Sequence, residues 1–83
     1  MATRQIIINV PEKILLAEKA TEADFAREIG VLAAIKLYEL GRLSSGRAAE
    51  LAGMSRIEFL FTLEKYKVFP LESELSDMED NYA

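Results

Sequence analysis

Thr21 and Gly41 bracket a stretch that reads as one long helix, and the middle of that helix is apolar on every side. Thr21 suits an N-cap, Glu22 and Asp24 place carboxylates in the first turn where the helix dipole favours them, and Gly41 supplies the left-handed residue that stops a helix at Leu40. From Ile29 to Ile35 no polar side chain interrupts the run Ile29, Gly30, Val31, Leu32, Ala33, Ala34, Ile35. A surface helix shows a single apolar stripe. This one is therefore expected to be central, with one side for the intrachain core and another for a second chain.

Around that helix the chain divides by local chemistry. Arg4 to Val10 is strand-like, because Ile6, Ile8 and Val10 alternate with Gln5 and Asn9 until Pro11 ends the run. One strand cannot stand alone, so its partner is the same strand of a second copy, another protein's edge, or the short Lys67-Val68-Phe69 stretch, and the first is favoured. Pro11 can open a short helix to Glu18. Ser44 can cap a helix through Arg47 to Ala52 that Gly53 ends, and Ser55-Arg56-Ile57-Glu58 is a capping box opening a further helix to about Tyr66.

The expected fold is mostly α. A short N-terminal β-strand precedes helices that include a helix-turn-helix-like pair at about 44–66, all within one domain over 1–70, and 71–83 form a flexible acidic tail.

With 83 residues the chain can hide only about 60% of the surface it exposes when unfolded, yet 51% of its residues are hydrophobic. The surplus points to a homodimer or another protein partner. Cys, His and Trp are all missing, which removes disulfides, thiolate and imidazole metal sites, and any triad or relay that needs an imidazole base. No Gly-rich phosphate loop organises the carboxylates that remain. A non-enzymatic protein is expected, with no cofactor, no metal and no small-molecule substrate. The run of three isoleucines at 6–8 is too short for an export signal or a membrane span, so a cytoplasmic protein without membrane attachment is expected.

The net charge of −4 is unevenly spread. Arg42, Arg47, Arg56, Lys65 and Lys67 outnumber Glu50, Glu58 and Glu64 in the middle of the chain, whereas Glu72, Glu74, Asp77, Glu79 and Asp80 stand alone in the tail. A near-neutral head, a mildly basic middle and an acidic end result.

The stretch Ala48-Ala49-Glu50-Leu51-Ala52-Gly53-Met54-Ser55 carries the helix-turn-helix pattern. Small Ala49 lies four residues before Gly53, an apolar residue follows the glycine, and a capping serine comes next. Small residues let helices cross closely and the glycine permits the tight turn; an ordinary helical hairpin would use the same residues. Leu37 to Leu60, with Ser44-Ser45-Gly46-Arg47-Ala48-Ala49-Glu50-Leu51-Ala52-Gly53-Met54-Ser55 at its heart, resembles the signature block of a small prokaryotic family, number 175 of the uncharacterised UPF series. The strand-Pro-Glu start and Val68-Phe69-Pro70 fit as well. The resemblance implies an antitoxin-like protein acting beside a PIN-domain ribonuclease toxin.

Four groups of candidate residues follow. Arg42, Ser44, Arg47, Ser55, Arg56 and Lys65 are candidates for DNA contact, Ser55 and Arg56 at base edges and the cations at phosphates. Ile57, Leu60 and Phe61 read as an outer apolar face of the last helix beside Glu64, with Met54, Phe59 and Leu63 turned inward, which favours protein contact over groove reading. Leu71, Leu75 and Met78, with Tyr82, space as an amphipathic helix able to dock on a basic RNA-binding partner; a solvated acidic end is the plainer alternative. Ile6, Ile8, Val31 and Ile35 are the candidate dimer interface.

The strand opens a second DNA route. Paired antiparallel as in ribbon-helix-helix repressors, two copies would present Thr3, Gln5, Ile7 and Asn9 on one side, where Gln and Asn can read adenine, although a half-buried edge strand would look alike. The alternative to the antitoxin reading is thus a free-standing helix-turn-helix or ribbon-type regulator. Five cations offset by three acids make DNA binding by the isolated protein weak.

Overall fold

The computed structural model describes residues 2–68. Among them are four helices: α1 (Glu12–Glu18), α2 (Glu22–Glu39), α3 (Ser45–Ala52) and α4 (Arg56–Lys65).

Each boundary follows from its caps. The Thr21 hydroxyl accepts from the Asp24 N–H at 3.1 Å, and α2 runs to Glu39, with Leu40 as its C-cap, before Gly41 turns left-handed at φ 77°. Ser44 accepts from the Arg47 N–H at 3.3 Å, and Gly53 closes α3 at φ 74°. Pro11 stands one residue earlier than the sequence suggests, as the N-cap of α1, where its missing N–H leaves no donor unsatisfied.

The core is built by α2, α3 and α4 alone. Ala34, Ile35 and Tyr38 of α2 meet Ala48 and Ala49 of α3 and Phe59, Leu60 and Leu63 of α4, all buried. Tyr38 and Phe59 pack edge to face, with ring centroids 5.7 Å apart and planes at 87°. Ala48 and Ala49 are the small residues that let α3 lie between the other two helices, as the motif requires. By contrast α1 contributes no buried residue.

The strand expected over Arg4–Val10 is not formed. Residues 2–10 hold no regular secondary structure, and no backbone hydrogen bond among the described residues involves them. A strand exists only through a neighbour's ladder, and the described residues supply none. The in-chain candidate is already engaged, since the Val68 N–H donates to the Leu63 carbonyl at 2.8 Å and finishes α4.

The α2 helix is two-sided, as its all-round apolar stretch demands. Val31, Ala34, Ile35 and Tyr38 follow helical spacing on the core side. Phe25, Ile29, Ala33 and Leu37, four apart, form a second stripe that is only partly buried. No helix among the described residues is long and apolar enough to cross a membrane.

Candidate functional site

Two surfaces compete as the functional site: the α3–α4 unit and the groove beside α2. In the first, Gly53, Met54 and Ser55 make the turn. The Ser55 hydroxyl accepts from the Glu58 N–H at 3.1 Å while the Glu58 carboxylate accepts from the Ser55 N–H at 3.1 Å, so the capping box predicted from sequence is complete. The Ser55 backbone N–H and then its hydroxyl hold the Glu58 carboxyl below the usual glutamate range.

The geometry redistributes the proposed DNA residues. Arg42, Arg47 and Lys65 are exposed. Ser44 and Ser55 are exposed too, but their hydroxyls already cap α3 and α4. Arg56, read from sequence as the base-contacting residue, instead sends its Nε to the Ser45 Oγ at 3.0 Å, and Ser45 is buried. That guanidinium braces the start of α4 against the start of α3. A side chain held this way must give up its brace before it can reach a base edge.

The outer face of α4 also needs correcting. Leu60 is 1% exposed and belongs to the core, whereas Phe61 is 48% exposed and Ile57 is half-buried. The reason is helical geometry: Leu60 follows Phe59 by one residue and precedes Leu63 by three, so the three share one face, while Ile57 and Phe61 are four apart on the other. The inward placement of Phe59 and Leu63 agrees with the sequence reading, and Met54 packs against the core as expected.

The second surface is an open groove of about 840 Å³. One wall is the outer stripe of α2, Phe25, Ile29, Ala33 and Leu37; Leu51 of α3 and the N-terminal Ile6, Ile8 and Val10 add apolar lining, and Arg4, Asn9 and Glu22 add polar groups. Of the dimer candidates, Ile6 and Ile8 lie on this groove, exposed by 85% and 60%. Ile35 does not, because it is buried in the intrachain core and offers no surface to a second chain, and Val31 packs against that same core. Phe25, Ala33, Leu37 and Leu51 were missed in sequence, although the spacing of four from Phe25 to Leu37 was a readable signal. Leu71, Leu75 and Met78 lie outside the described residues.

No group of three or more Asp, Glu, His or Cys among the described residues is placed to hold a metal ion. The sequence profile of the uncharacterised protein family UPF0175 matches residues 1–83. The chain belongs to that family.

Two UPF0175 proteins of archaea show how far the likeness extends. The chain is 40% identical over 65 residues to one from Archaeoglobus fulgidus, covering 78% of this chain and 69% of that protein. It is 27% identical over 81 residues to one from Aeropyrum pernix, covering 98% of this chain and 85% of that protein. No solved structure matches the chain. The UPF0175 match thus spans both candidate surfaces, the N-terminal segment included.

Proposed function

We propose that this UPF0175 member is a non-catalytic, antitoxin-like regulatory protein that binds and neutralises a protein partner, a PIN-domain ribonuclease. One observation carries the reading: a three-helix core leaves large apolar side chains outside it, Ile6, Ile7, Ile8, Ile14, Leu16, Leu32 and Leu51 among them. So much apolar surface on so short a chain is the mark of a protein made to be covered. The ribonuclease as partner rests on the family resemblance. The test is co-expression with a PIN-domain ribonuclease encoded beside this chain, reading RNA cleavage in the purified mixture. Stoichiometric loss of cleavage supports the proposal; unchanged cleavage with no complex on gel filtration sinks it.

A second reading, DNA-binding regulation, is favoured by the α3–turn–α4 arrangement with exposed Arg42, Arg47 and Lys65. The cations are few, so binding by the isolated protein should be weak and fall steeply between about 50 and 200 mM salt. Tight sequence-specific binding at physiological salt would place regulation ahead of neutralisation.

A further inference from the structure

We propose that Arg4–Val10 pairs with the same segment of a second copy as an antiparallel two-stranded ribbon centred on Ile7, and that this ribbon covers the outer stripe of α2. The inference concerns self-association and stands apart from the choice of toxin.

The segment is built for a ladder it does not have. Ile6, Ile7 and Ile8 are β-formers, exposed by 85%, 91% and 60%, and no backbone group of residues 2–10 is hydrogen-bonded within the described residues. Exposed unpaired backbone with β-branched side chains is a template for strand addition. Its side chains already sort by face: Arg4, Ile6, Ile8 and Val10 line the groove, joined by Asn9 beside Pro11, while Ile7 is exposed and is not part of the lining.

What selects a second copy is self-complementarity. About a two-fold axis at Ile7, Ile6 lies opposite the partner's Ile8 and Gln5 opposite the partner's Asn9, so like meets like at the centre of the ribbon. Arg4 falls opposite the partner's Val10, at each end of the ribbon. A parallel pairing would stack Arg4 on Arg4. Four isoleucines, Ile6 and Ile8 from each copy, then lie over the two grooves, where Phe25, Ile29, Ala33 and Leu37 are only partly buried by one chain. This accounts for the second apolar face of α2.

The register makes a sharp test, because the chain has no cysteine of its own. With the axis at Ile7, the two Ile7 Cα atoms stand about 4.5–5.5 Å apart, within disulfide range. The two Gln5 Cα atoms are offset by four residues, about 14 Å, beyond it. Full-length Ile7→Cys and Gln5→Cys, each with circular dichroism to verify folding, should be oxidised at roughly 50 µM. Ile7→Cys should convert nearly completely to a covalent dimer and Gln5→Cys should stay monomeric on a non-reducing gel. The wild type should sediment at twice the chain mass, and Ile6→Asp with Ile8→Asp at the chain mass with unchanged helicity. Equal cross-linking at the two positions overturns the register. A wild type that sediments as a monomer at that concentration, pairing only when another protein is added, overturns the proposal.

Discussion

The Arg56 Nε donates to the Ser45 Oγ at 3.0 Å, joining the first residue of α4 to the first residue of α3. The bond spans the turn and fixes how the two helices start relative to each other. Arg56→Ala should lower unfolding stability by about 1.5–3 kcal/mol, the range for a hydrogen bond to a charged group. In a double-mutant cycle with Ser45→Ala the losses should be non-additive, measured by urea denaturation. Unchanged stability with altered DNA preference would return Arg56 to the role of a base reader.

Adjacent residues on α4 should behave oppositely. Leu60 is buried and Phe61 is half-exposed. Leu60→Ala should cost about 2–5 kcal/mol by opening a core cavity. Phe61→Glu should keep the helical circular-dichroism signal and lose binding to the ribonuclease proposed as partner. If Phe61→Glu unfolds the protein outright while Leu60→Ala is tolerated, the assignment of faces is reversed.

Gly53 and Gly46 separate conformation from space. A Cβ added at either would meet nothing within 4 Å, but Gly53 sits at φ 74° and Gly46 lies inside α3. Gly53→Ala should destabilise by about 1–2 kcal/mol because a left-handed backbone disfavours a Cβ. Gly46→Ala should stabilise by up to about 1 kcal/mol through helix propensity. Thermal melts of the two variants should shift in opposite directions; a shift of the same sign in both would show that something other than backbone conformation governs the turn.

Acid should loosen the start of α4. The Ser55 backbone N–H, and secondarily its hydroxyl, favours the charged form of Glu58, so the folded-state pKa is lowered. A lowered pKa contributes stability that is present above the unfolded glutamate value and disappears as pH falls through the folded one. Glu58→Gln should therefore flatten the decline of melting temperature on acidification relative to wild type. Parallel declines in the two proteins would mean that the capping box makes no pH-dependent contribution.

Helix ends were legible in the sequence because capping is a contest among residues three or four apart. Thr21, Ser44, Ser55 with Glu58, Gly41 and Gly53 bring their own partners with them, and the structure places each where local chemistry demands. The all-round apolar stretch of α2 likewise required two covered faces before any contact was known. What the sequence by itself could not determine was how far round α4 the core would reach, what Arg56 would grip, and whether Arg4–Val10 would find a ladder. Leu60 and Phe61 are both apolar neighbours; helical geometry puts Leu60 beside Phe59 and Leu63, and the packing of α2 and α3 against that face makes it wide enough to bury Leu60 while Phe61 stays half-exposed. Ser45 is eleven residues from Arg56, and their bond exists because the turn at Gly53 folds α4 back onto α3. A strand needs hydrogen bonds from a second strand, so the preference written in Ile6 and Ile8 stays unrealised in one chain.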